Sequence, residues 1–127
     1  MRGGLRAAVV ALWLGSPAHA APLQIEGTAG YLSEWEFSGA ASTGSESSEF
    51  TGGLMWKHVG LCSANGPQEK PGEVQLRIER SGAIASVTAV LSFEGSSCTF
   101  KGGFSADMNG FMDCPHAKAV PLSMSIR

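Results

Sequence analysis

In eight separate segments of this chain, apolar and polar residues alternate with a period of two, and this limits the fold more than any other feature. Successive side chains of an extended strand point to opposite faces, so alternation produces a strand with one apolar and one polar side. Glu73–Arg80 is the clearest case: Val74, Leu76 and Ile78 share one face, and Gln75, Arg77 and Glu79 share the other. Ala119–Ile126 sets Val120, Leu122, Met124 and Ile126 together, and Ser86–Phe93 does the same with Val87, Ala89, Leu91 and Phe93. Cys98–Phe104 groups Cys98, Phe100 and Phe104 against Thr99 and Lys101. Gly110–Cys114 groups Met112 and Cys114 against Phe111 and Asp113. Tyr31–Phe37 puts Tyr31, Trp35 and Phe37 inward, Gly53–His58 puts Leu54, Trp56 and His58 inward, and a short opening strand spans Leu23–Gly27.

Clusters of Gly, Pro, Asn and Ser separate the segments, at 42–48, 63–72, 80–83, 94–97, 106–110 and 114–118. Such residues supply turn geometry, and connections this short join antiparallel neighbours rather than parallel strands with helical crossovers. The expected fold is therefore all-β, about eight antiparallel strands in a meander. Closing the sheet into a small barrel buries every apolar face and removes the exposed edges. A two-layer β-sandwich is the competing arrangement.

The N-terminus carries a different signal. Arg2 and Arg6 precede the apolar run Ala7–Leu14, then Gly15, Ser16 and Pro17, then the small-x-small triplet Ala18–Ala20. This is the pattern of a cleaved signal peptide over residues 1–20, with processing at Ala20/Ala21 and delivery to the periplasm or exterior. The residue after the cut is not cysteine, and no later apolar run is long enough for an anchor, so no stable membrane attachment is expected. Residues 21–127 then form a single domain, expected to be monomeric. They hold all eleven acids but only seven bases (Lys57, Lys70, Arg77, Arg80, Lys101, Lys118 and Arg127), without a basic cluster. This balance excludes nucleic acid as a partner.

The exported compartment bears on the three cysteines, Cys62, Cys98 and Cys114. If the chain turns near Ala106, Cys98 and Cys114 lie equally far from the turn and face each other on adjacent strands. Directly opposed residues bring Cβ atoms to about 4.5–5.5 Å, close to disulfide reach. Oxidising conditions favour that bond, leaving Cys62 as the odd thiol. A bridge through Cys62 is the rival connectivity. A soft-metal site drawn from His58, Cys62, Met112, Cys114 and His116 fails on spacing, because His58 and Cys62 stand about 13 Å apart along an extended strand. No metal and no cofactor are expected.

Catalytic motifs are equally scarce. The chain has no G-x-S-x-G and no H-E-x-x-H. Glu34 and Glu36, two apart, share a polar strand face. The expected function is therefore non-enzymatic binding of a partner in the envelope or exterior, in an inhibitor-like manner. Recognition is assigned to the two longest polar connections, 39–48 and 63–72, with Thr43, Ser45, Glu46, Asn65, Gln68, Glu69 and Lys70 as candidate contacts. The alternative is a carrier of a small hydrophobic ligand inside the barrel, with Trp35 and Trp56 as walls. In plan the chain looks like small exported up-and-down barrels, some of which bind ligands and some of which inhibit enzymes. The G-x-W signature of lipocalins does not occur in residues 21–127.

Overall fold

The computed structural model describes residues 3, 22–43, 48–60, 66 and 68–127. Eight strands follow one another: β1 (Leu23–Ala29), β2 (Trp35–Thr43), β3 (Glu49–His58), β4 (Gln68–Ser81), β5 (Ile84–Phe93), β6 (Ser96–Gly103), β7 (Asp107–Cys114) and β8 (Ala117–Ile126). Each pairs antiparallel with its sequence neighbours, and β8 returns to β1, closing the sheet into a barrel in the order β1 to β8. The barrel is thus the solution adopted, and the sandwich is not.

Closure follows from the alternation. Val74, Leu76, Leu91, Phe100, Leu122, Met124 and Ile126 are all buried, each on the face its strand pattern assigns. They join Ile25, Phe37, Leu54, Trp56, Val87, Met108 and Met112 in one contiguous core. Burying one such Leu or Phe side chain contributes about 1.5–3 kcal/mol. Ile78 and Phe93, also expected in the core, are half-buried against its two ends. Among the described residues no polar side chain is buried in the core. The apolar faces point in and the polar faces out, the reverse of a membrane-spanning barrel.

Several boundaries differ from the sequence expectation. Tyr31 does not face inward; it is 62% exposed, in a turn where Gly30 and Ser33 both take positive φ. Its hydroxyl donates to the carbonyl of Lys118 at 2.7 Å, and the strand begins only at Trp35. The segment 106–110 is not a turn either: Asp107 starts β7, and Met108 is buried opposite Met124. β2 and β4 also run further than their alternation suggested, into segments read as loops. Gly39 in β2 and Gly72 in β4 hide the strand pattern there, because a residue with no side chain leaves no mark on either face.

Cys98 and Cys114 are joined as a disulfide, with Cα atoms 4.2 Å apart. The register that placed them opposite one another is the observed one: Thr99 pairs with Asp113 and Phe100 with Met112. Those are the only two ladder pairs between β6 and β7 among the described residues, so the disulfide closes the most sparsely paired seam of the barrel. The Phe100 ring fills the rest of it from inside, lying against Gly102 of β6 and Gly110 of β7.

Candidate functional site

Outward side chains of neighbouring strands line up in rows across the sheet, because register places them side by side. One row runs Asp107, Ser125, Glu26, Ser38, Met55 through β7, β8, β1, β2 and β3. The next runs Asn109, Ser123, Thr28, Glu36, Lys57, Glu69 and reaches β4. Together they line a groove of about 790 Å³ on the outside of the barrel. The middle strands carry the short Ser123, Ser125, Thr28 and Ser38 interspersed with Glu26 and Glu36, while Met55, Lys57 and Glu69 stand along one rim. Between the two rows the backbone of Gly27 faces the interior, where Phe37 and Met124 press so closely that no Cβ would fit.

Polar contacts order the groove. The Ser125 hydroxyl donates to Asp107 Oδ1 at 2.7 Å, and the Ser123 hydroxyl donates to Asn109 Oδ1. Lys57 Nζ lies 3.8 Å from Glu69 Oε1 across the rim. Four carboxylates (Glu26, Glu36, Glu69 and Asp107) face one ammonium, so the groove carries an excess of negative charge. Both ion pairs that involve β4 near this end of the barrel, Lys57–Glu69 and Lys70–Glu94, are largely exposed on the acid side. Each contributes little to stability, typically about 0–1 kcal/mol.

A second concentration of chemistry lies inside one end of the barrel. Trp35 begins β2, His58 ends β3 directly opposite it, and Phe93 ends β5. These three side chains are half-buried. Below them Trp56 is buried, with its indole stacked on Phe93 (ring centroids 4.9 Å apart) and tilted against Phe37 at the same distance. Trp35 meets His58 edge to face at 4.6 Å. Two polar atoms in this cluster are shut off from solvent without a hydrogen-bond partner: Trp56 Nε1 and His58 Nδ1.

The loop residues nominated from the sequence are not brought together. Thr43 is the last residue of β2, opposite Phe50, at the far end of the barrel from the start of β4. Gln68, Glu69 and Lys70 belong to β4, where they pair with His58, Lys57 and Trp56. Half of each nominated loop is therefore strand: 39–43 in β2 and 68–72 in β4. Ser45, Glu46, Asn65 and the odd thiol Cys62 lie outside the described residues, as does the signal segment apart from Gly3. Of the candidate contacts among the described residues, only Glu69 lines the groove. The remaining groove residues escaped notice because each strand gives only one residue to each row, far from the next in sequence, and only register assembles them. Of the metal ligands considered, Cys114 is consumed by the disulfide and Met112 is buried in the core.

Compared with protein-family models, curated proteins and solved structures, the chain gives no match.

Proposed function

We propose that this protein is a non-enzymatic binding module, exported after removal of residues 1–20, that recognises a partner through the outer groove rather than through its loops. The groove itself carries the reading. It is a rigid concavity built from side chains of six adjacent strands, one row continuous from β7 to β3 and the next from β7 to β4. Hydroxyls, an amide and four carboxylates offer hydrogen bonds and negative charge, which suits an extended, basic segment of another protein. Rigid strands suit the purpose because the binding geometry is set before the partner arrives, which lowers the entropic cost of association.

The test is site-specific photo-crosslinking in envelope extract of the native host, with the probe placed at Ser38 in the groove or at Thr43 on the barrel end. The expected result is a discrete adduct from Ser38 that is lost in the Glu26→Lys/Glu36→Lys double variant and weakens as salt is raised. An adduct that forms only from Thr43, or one indifferent to the charge reversal, overturns the groove reading. A second reading, a small-ligand carrier with Trp35 and Trp56 as walls, is favoured by one observation only: the two unpartnered nitrogens at the aromatic end.

A further inference from the structure

We infer that the partner of the outer groove is a basic protein segment that also carries one large apolar side chain, seated in a second recess beside the groove at β7 and β8. The inference rests on the groove reading above and adds to it the sequence character of the partner. The recess measures about 340 Å³, ample for one aromatic or leucine side chain, and none of its lining side chains is charged. Thr28, Asn109 and Ser123 line both concavities, so the two are continuous along the outer wall of the barrel.

Register places apolar residues at this spot. Each outward row lies two residues further along its strands than the one before. Beyond Asn109 and Ser123, the third row holds Phe111 and Pro121, opposed across β7 and β8. Next to them on the β1 side comes Gly30, whose N–H donates to the Pro121 carbonyl at 3.0 Å and which brings no side chain. Phe111 is 65% exposed and takes no part in the core. The turn after β1 adds Leu32, 89% exposed, and its Ser33 lines the recess. That turn is held in place by the bond from the Tyr31 hydroxyl to the Lys118 carbonyl, and by Leu32 N–H donating to Glu34 Oε2 at 2.9 Å. One exposed apolar side chain is ordinary, but three around one recess, bordered by a charged groove, match the apolar centre and polar rim of protein interfaces.

Charge selects the occupant. Four carboxylates against one ammonium in the groove call for a basic segment. A second copy of this chain is a poor fit, since residues 21–127 carry eleven acids against seven bases. An anionic lipid surface is repelled by the same carboxylates. Spacing follows from the barrel: Phe111 on β7 and Glu36 on β2 are three strand intervals apart, about 14 Å, which about four residues of extended chain cover. Alternate residues of such a chain share a face, so anchor and bases belong at even separations.

The probes are two synthetic heptapeptides, one the reverse of the other, with phenylalanine at one end, lysines two, four and six residues from it, and serines between. Each has a counterpart with alanine in place of phenylalanine. Titration calorimetry with the exported protein is expected to show saturable binding of one order, weakened by salt and roughly tenfold tighter than its alanine counterpart. Phe111→Ser changes an exposed residue outside the core and is expected to fold and to erase that tenfold preference. Ile84→Ser removes an equally exposed apolar side chain from β5 and is expected to preserve it. Glu26→Lys/Glu36→Lys is expected to abolish binding of all four peptides. Salt-dependent binding without preference for phenylalanine overturns the anchor and leaves the groove reading standing. A preference that survives Phe111→Ser overturns the anchor as well. No saturable binding of any peptide overturns the inference, while the crosslink from Ser38 still decides the groove itself. A dimer that forms without peptide and is lost in Phe111→Ser assigns the patch to a second copy and overturns the inference too.

Discussion

The indole nitrogen of Trp56 rests against the backbone of Gly72 on the neighbouring strand: a Cβ added to this glycine would stand 2.6 Å from Nε1 and 2.1 Å from the carbonyl oxygen of Ser92. The largest side chain of the core is thus seated by the absence of one across the ladder. Gly72 sits diagonally from Trp56, opposite Leu54, inside a stretch whose proline and glycine read as a loop.

Gly72→Ala is therefore expected to destabilise the protein by about 1–3 kcal/mol, the cost of forcing atoms into a packed interior. Gly53→Ala provides the contrast, because nothing lies within 4 Å of the added methyl. There the substitution is expected to stabilise by about 0.5–1 kcal/mol, since glycine in a strand loses more chain entropy on folding. Urea unfolding of the two variants checks both signs. Equal effects from the two would mean that Trp56 is not seated on Gly72.

Facing along β4 makes a second forecast. Leu76 is buried at 2% exposure, while Arg77 points outward and pairs with Glu49 at 2.5 Å on the surface. Leu76→Ala is expected to cost about 2–5 kcal/mol and Arg77→Ala under about 1 kcal/mol. Thermal or chemical denaturation decides it, and a larger loss at Arg77 would mean the face assignment is inverted.

At the β6–β7 seam, replacing both Cys98 and Cys114 by alanine is expected to lower stability by about 3 kcal/mol, as for a loop of this length. Amide exchange should rise first in β6 and β7, because two ladder pairs and the Phe100 ring are what remain there. Uniform acceleration around the whole barrel would contradict this account of the seam.

Ala119 takes a φ of 51° where the β7–β8 register shifts, and its N–H donates to Asp113 Oδ1 at 3.2 Å. A left-handed conformation is costly for a residue with a Cβ. Ala119→Gly is expected to stabilise by about 0.5–1 kcal/mol after the entropy of the freer unfolded chain is subtracted. Ala119→Val is expected to destabilise, since a branched Cβ fits that region worst. Melting temperatures of the two variants should move in opposite directions.

How far the sequence reaches is visible residue by residue. The alternation along 73–80, 86–93 and 119–126 determined the strands, their facing and most of the core, because period-two burial is written directly into side-chain polarity. A turn placed near Ala106 set Cys98 opposite Cys114, since antiparallel register is arithmetic once the turn is placed, while the rival bridge through Cys62 stayed open until the structure joined Cys98 to Cys114. What failed to show in the sequence was whatever depended on glycine or on neighbours from distant strands. Gly39, Gly52 and Gly72 concealed the extent of β2, β3 and β4, as glycine belongs to neither face of a pattern. The outer groove takes Asp107, Ser125, Glu26, Ser38 and Met55 from five strands, and only the closed register sets them in one row. The aromatic end likewise needed β2, β3 and β5 to meet before Trp35, Trp56, His58 and Phe93 became one cluster. Local polarity determines strands one at a time, whereas a surface shared by many strands exists only after the barrel closes.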